Sequence, residues 1–239
     1  MSLSRDSLKI KLFADGADLA GMIEMASKPY IAGLTTNPTL MRKSGVSDYI
    51  KFAQEVVREI PNKPISFEVF SDDLDEMKSQ ALRIASWGEN IYVKIPVTNT
   101  LGVSTLPLVS DLLESKVKVN VTAVMTTGQV SRIADVLGTK TESYVSVFAG
   151  RIADTGRDPI PTMIESLKLL KDNQHSELIW ASPRELLNII QADSIGCHII
   201  TATTDILNKL KFLEYDLEAF SLDTVKMFSD DAKKSGFKI

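Results

Sequence analysis

The chain is poor in the residues that build several common kinds of site. Among its 239 residues there is one cysteine, Cys197, so no intramolecular disulfide can form, which accords with a reducing compartment. The two histidines are His175, in a polar stretch, and His198, at the start of an apolar run, and neither has a second histidine or a cysteine at ligand spacing. Both read as structural, and a zinc centre is disfavoured. The twelve glycines form no G-x-G-x-x-G and no G-x-x-x-x-G-K-[ST], which removes the usual marks of dinucleotide and P-loop sites. No apolar run approaches the ~20 residues of a membrane-spanning helix. The opening MSLSRDSLKIKLF has no signal-peptide core, and Met1–Ser4 could be a cloning remnant. A formal net charge of −4 without a concentrated basic stretch argues against nucleic acid as the main partner. The expectation is a cytoplasmic protein with no membrane partner, in which individual arginines do any anion binding.

What is present is a regular alternation. Short β-rich runs fall near Lys9–Asp15, Ile31–Leu34, Ile65–Phe70, Ile91–Ile95, Val117–Thr122, Tyr144–Phe148, Leu178–Ala181 and His198–Thr201. Helical periodicity fills Leu19–Ala26, Ser47–Ile60, Asp73–Ser86, Gly102–Ser115, Thr127–Leu137, Pro161–Asp172 and Pro183–Gln191, with Ser182-Pro183 reading as an N-cap and first-turn proline. Strict strand–helix alternation without a glycine-rich turn predicts a single (β/α)8 TIM barrel over residues 1–239, with an open doubly wound sheet as the competitor. Residues 221–236 read as an additional C-terminal helix that packs on its own barrel or on a neighbour.

One strand breaks the apolar rule. In Glu89–Thr98, ENIYVKIPVT, period-two alternation puts Tyr92, Lys94 and Pro96 on one face and Ile91, Val93 and Ile95 on the other. A lysine inside a parallel strand is unusual. Desolvation disfavours its charged form, and a neutral amine can condense with a ketone. An isolated lysine would be read as snorkelling to solvent, but other strand ends supply polar company: Asp15, Thr35 and Asn37, Glu68, Asn120 with Thr122, Ser146 with Phe148, and Ser182. Ser66, Glu68 and Phe70 share one parity. Two carboxylates and an amine converging on one cavity are costly unless they serve a purpose. Cleaving a carbon–carbon bond beside a carbonyl needs an electron sink, and with no histidine cluster for a metal the candidate is a protonated imine on lysine, with carboxylates moving protons. A second cluster, Arg151 in FAGRIADTG and Ser182 with Arg184 in WASPRE, suits a tetrahedral anion at the mouth of a barrel. The bland alternative pairs Arg151 with Asp154 or Asp158 and Arg184 with Glu185.

The ordered stretches FADGAD, GLTTNPTL, SFEVF, YVKIPVT, NVTAV, SVFAGRI and ASPRE resemble the transaldolase family across all eight strands. The resemblance implies that Lys94 is the Schiff-base lysine and Asp15 the group that takes the C4-hydroxyl proton. It gives Glu68 the proton transfers around imine formation, through a water helped by Thr122. Thr35, Asn37, Asn120 and Ser146 match positions that hold donor hydroxyls or the lysine, and Arg151, Ser182 and Arg184 match the phosphate-binding set. The implied reaction is transfer of a dihydroxyacetone unit between sugar phosphates, of the pentose phosphate type, with no cofactor and no metal. Within the same short subfamily, fructose 6-phosphate aldolases place glutamine at the position of Glu68 and tyrosine at that of Phe148, so both positions side with transaldolase. Pro183 departs from the aromatic residue usual in long transaldolases, which leaves room for a sulfonated or otherwise altered sugar. A non-catalytic sugar-phosphate-binding barrel is the alternative of another class. Short relatives form pentamers or decamers through the C-terminal helix, which implies a homo-oligomer.

Overall fold

The computed structural model of the chain describes residues 5–138 and 140–236, so the reading of Met1–Ser4 lies outside the described residues. Eight strands close in sequential order into a parallel barrel: β1 Lys11–Asp15, β2 Ile31–Thr35, β3 Ile65–Glu68, β4 Ile91–Pro96, β5 Val119–Val124, β6 Ser143–Val147, β7 Ser176–Trp180 and β8 Ile199–Thr203. The helices are α1 Leu19–Ser27, α2 Pro38–Lys43, α3 Tyr49–Glu59, α4 Leu74–Ala85, α5 Leu106–Glu114, α6 Thr127–Val136, α7 Ala149–Ala153, α8 Ile160–Leu170, α9 Leu187–Ser194, α10 Thr204–Leu207 and α11 Leu217–Ser235. This is the TIM barrel expected from the alternation. Helix starts follow local chemistry: the side chains of Asp18, Asn37, Asp48, Asp73, Thr126 and Asp216 each accept a backbone N–H of the first turn, satisfying donors that the helix itself cannot.

Strand parity divides the core in two. Ile91, Val93 and Ile95 join the large outer core between sheet and helices. Phe13, Tyr92, Tyr144, Ile179 and Ile199 meet inside the barrel, where Tyr92 stacks on Tyr144 at 4.0 Å and Phe13 meets Tyr144 edge-on. Two residues further along four of these five strands, on the same face, come Asp15, Lys94, Ser146 and Thr201. An apolar floor therefore lies one pleat below a polar layer, and any charge in that layer is desolvated from beneath.

β2 reaches this arrangement only through a bulge. Leu12 pairs with Ile31 but Phe13 pairs with Gly33, leaving Ala32 as the extra residue. Unbroken alternation from outward-facing Ile31 would have turned Thr35 outward. The bulge resets the parity and aims Thr35 into the barrel. Gly33 is needed beside it, because a Cβ there would lie 2.5 Å from the Phe13 ring.

Two expectations are corrected here. Phe70 does not join Ser66 and Glu68 inside: it follows the end of β3, is half exposed and packs at 4.3 Å against Tyr49 on α3. Nor does Ser182 cap a helix. The last barrel helix starts at Leu187, and Ser182 sits at φ +57°, a left-handed conformation that an N-cap does not take. The cause is the crossing of Ser182 over Gly150, where a Cβ would fall 1.5 Å from the Ser182 carbonyl oxygen. Gly150→Ala is expected to destabilise the fold by about 3 kcal/mol, read from the urea midpoint, because two backbones would have to part. An unchanged midpoint would contradict this packing.

Candidate active site

Lys94 is the best-defined group of the polar layer. It is 6% exposed. Its Nζ donates to the Thr36 carbonyl at 2.9 Å and forms an ion pair with Glu68 Oε2 at 3.1 Å. Glu68 and Lys94 are direct cross-strand partners, so the pair is set by the register of β3 against β4. The snorkelling alternative therefore fails. The amine is thus flanked by a carboxylate and a backbone carbonyl. Glu68 stands at the distance at which a carboxylate can exchange a proton with the amine.

Asp15, at the end of β1, belongs to the same layer and feels the Lys94 charge. Thr35 Oγ1 donates to Asp15 Oδ1 at 2.7 Å, and Thr35 Oγ1 lies 2.5 Å from Thr201 Oγ1. Burial pushes the Asp15 carboxyl above the ordinary aspartate range. The Lys94 ammonium and the Thr35 hydrogen bond pull it back, and the Glu68 charge adds to the rise. Desolvation is the largest of these influences, the signature of an acid held where its proton is easily exchanged.

A chain of neutral groups closes the other side. Asn120, next to Lys94 in register, donates through Nδ2 to Ser66 Oγ at 3.1 Å and accepts at Oδ1 from Ser146 Oγ at 2.7 Å. All three are buried, so the amide is held by a donor on one side and an acceptor on the other and cannot turn over cheaply. Thr122 stands beside Pro96 across β4 and β5, and its hydroxyl is buried without a protein hydrogen bond among the described residues. Asn37 uses Oδ1 to cap α2 by accepting the Leu40 N–H at 3.0 Å, which leaves its amide NH2 as its donor. Phe148 packs against the inner cluster at the start of α7.

The arginine cluster departs from the bland pairing read in the sequence. Arg184 pairs with Asp154 rather than with Glu185: Nε donates to Oδ1 at 2.9 Å and Nη2 to Oδ2 at 2.5 Å. This holds the Asp154 carboxyl below the usual range and raises the Arg184 guanidinium. The pair occupies one edge of the planar guanidinium and leaves Nη1 unbonded among the described residues, so an anion could still be gripped. Arg151, on α7, is exposed and makes no ion pair among the described residues, although its charge is felt at Asp154. Ser182 lies on the loop after β7, against Gly150, the residue before Arg151.

Sequence reasoning missed Thr36, which acts through a backbone carbonyl, Thr201, and the pairing of Asp154 with Arg184, thirty residues away. Only Thr201 left a usable signal, since it shares the inward parity of Ile199 on β8. His198 takes the structural place expected, its Nδ1 accepting the Leu178 N–H at 2.9 Å.

Comparison with known proteins gives a consistent picture. The family model described as Transaldolase/Fructose-6-phosphate aldolase matches residues 12–239. A protein from Thermoanaerobacter sp. (strain X514) named "Probable transaldolase" is 33% identical over 232 residues, covering 96% of this chain and 100% of that protein. One of the same name from Sulfurihydrogenibium sp. (strain YO3AOP1) is 34% identical over 206 residues, 84% of this chain and 88% of that one. Among solved structures, a chain assigned to the dihydrodipicolinate synthase family, from Coccidioides immitis, superposes with TM-score 0.59 at 12% identity, covering 99% of this chain and 79% of that one. At that identity the likeness speaks for the barrel alone.

Proposed function

Because the chain belongs to the transaldolase/fructose-6-phosphate aldolase family, we propose that it is a transaldolase working through an imine on Lys94. The observation that carries this reading is the buried amine, 3.1 Å from Glu68 and within the electrostatic reach of a second, desolvated acid, Asp15. Lys94 passes a proton to Glu68 and attacks the ketone carbon of a donor such as sedoheptulose 7-phosphate or fructose 6-phosphate. Glu68 returns protons as the carbinolamine loses water, through a water that the free Thr122 hydroxyl can hold. Asp15 then takes the proton of the C4 hydroxyl, the C3–C4 bond breaks, and its electron pair flows into the iminium to give an enamine. An aldose phosphate acceptor leaves by the same steps reversed, as a longer ketose phosphate. Asn37, Asn120, Ser146 and Thr35 line the donor, Phe148 bounds it, and Arg151, Ser182 and Arg184 hold its phosphate.

The test is acceptor dependence. With fructose 6-phosphate as donor, turnover is expected only when erythrose 4-phosphate is supplied. Steady release of free dihydroxyacetone without acceptor would make the chain an aldolase instead. Absence of turnover with any phosphorylated or sulfonated ketose would favour a sugar-phosphate-binding barrel.

We further propose a homo-oligomer built on α11. This helix has no buried residue, and Leu217, Phe220, Leu222, Val225, Met227 and Phe228 are all exposed, a hydrophobic display that a lone chain rarely sustains. Light scattering is expected to give several times the mass of one chain, and a single-chain mass would count against it.

A further inference from the structure

Strands β1 to β6 each supply a residue to the machinery proposed above and the loop after β7 supplies Ser182, whereas β8 holds an unused hydroxyl in the same layer. Thr201 is 6% exposed and Thr35 is 3% exposed, with their Oγ1 atoms 2.5 Å apart. Thr35 has one hydroxyl proton, and it is committed to Asp15 Oδ1 at 2.7 Å. While Asp15 is in its carboxylate form, the proton between the two threonines therefore comes from Thr201, giving a directed chain from Thr201 to Thr35 to Asp15. Such chains strengthen each link, because a hydroxyl that accepts a bond donates a better one. Among the described residues the other oxygen, Oδ2, has no hydrogen bond and is open to a substrate proton. Asp15 is there held through Oδ1 alone, so the donor on Thr35 decides how the carboxylate is turned.

We propose that Thr201 is a positioning residue for Asp15: by donating to Thr35 it fixes the direction of the Thr35 hydroxyl, which in turn aims Oδ2 of Asp15 at the substrate and supports its carboxylate form. The inference rests on the imine reading given above for the role of Asp15, while the hydroxyl chain itself is a property of the resting protein. The charged groups facing Asp15 are Lys94 from β4 and Glu68 from β3, and neither is touched by a change at Thr201.

The sign follows from the groups present. A hydrogen bond donated to a carboxylate lowers its pKa, as the Thr35 bond does here. Weakening that bond raises the pKa and moves the acid limb of the kcat profile toward higher pH. Thr201→Ala removes the hydroxyl without forcing a methyl into the 2.5 Å contact, and Thr201→Ser keeps the hydroxyl while trimming the methyl. Thr201→Ala is expected to lower kcat by roughly three- to tenfold, with KM nearly unchanged and the acid limb moved up by roughly half a pH unit. Thr201→Ser should stay within about twofold of the parent in kcat and keep its acid limb, provided that far-UV circular dichroism shows both variants folded. Equal losses in the two variants would assign the effect to packing and overturn the proposal, as would an unmoved acid limb in Thr201→Ala. A second measurement needs no substrate. The Asp15 carboxyl, assigned in a 13C spectrum by its absence in Asp15→Asn, should titrate at higher pH in Thr201→Ala than in the parent. If the carboxyl shifts while no ketose is turned over, the hydroxyl chain stands and the functional reading falls. If ketoses turn over normally and the carboxyl does not move, the chain falls alone.

Discussion

Lys94→Met is expected to leave less than roughly one ten-thousandth of the parent turnover, because among the described residues no other lysine is buried to form the imine and the remaining groups bind substrate without supplying an electron sink. Methionine keeps the length of the side chain and removes its charge and its nucleophile. Two consequences separate this from a general loss of structure. Borohydride reduction in the presence of donor should add the reduced three-carbon unit to the peptide containing Lys94 in the parent and to no peptide in the variant. An adduct on another lysine would overturn the assignment. The substitution also leaves Glu68, whose side chain is 17% exposed, without its counter-charge, a loss of about 3 kcal/mol by comparison with other broken buried pairs. Lys94→Met combined with Glu68→Gln should recover most of that stability and none of the activity. Recovery of turnover would show that the amine was a structural cation.

The barrel was legible because each strand is a short apolar run bounded by polar residues and followed by helical periodicity, the pattern that a sheet covered on both faces imposes. Lys94, Asn120 and Thr122 could be placed by counting in twos along β4 and β5, whose ladders run without a break through Lys94 and Asn120. Thr35 was placed inside by its motif rather than by its parity, since the β2 bulge changes the count at Ala32. The end of β7 was misread for a physical reason: a serine before a proline looks like a helix start, while the left-handed turn of Ser182 is imposed by Gly150 on a different loop. Contacts of that kind depend on three-dimensional approach and leave no local trace. The same holds for the Thr36 carbonyl under the Lys94 amine, because every residue has a carbonyl and only the fold selects one.

Asp15→Asn is expected to divide the reaction in two. The amide keeps the shape of the carboxylate, so donor binding and imine formation at Lys94 should survive and borohydride should still trap an adduct. That adduct should carry the whole donor chain rather than the three-carbon unit, because no base remains to take the C4-hydroxyl proton. Turnover should fall by roughly a hundred- to ten-thousandfold, the usual worth of a placed general base. A trapped three-carbon unit at an unchanged rate would show that cleavage uses another acid. The parent should lose activity in acid at a pH above the ordinary aspartate range, since burial raises the Asp15 carboxyl and cleavage needs its charged form. The stability of the same variant should move the other way. A carboxyl raised in the fold is least costly when protonated, so its contribution is present below the unfolded pKa and is lost as pH rises through the folded one. Above the ordinary aspartate range the raised Asp15 carboxyl costs the fold stability, and Asn removes that cost. Asp15→Asn should therefore melt higher than the parent at pH 7, with the gap closing as pH is lowered toward the ordinary aspartate range. A lower melting temperature at pH 7 would mean that the attraction between Asp15 and Lys94 outweighs the desolvation. The layer that makes the acid reactive is thus the layer that costs the fold stability, and the apolar floor of Phe13, Tyr92 and Tyr144 beneath it is the common cause of both.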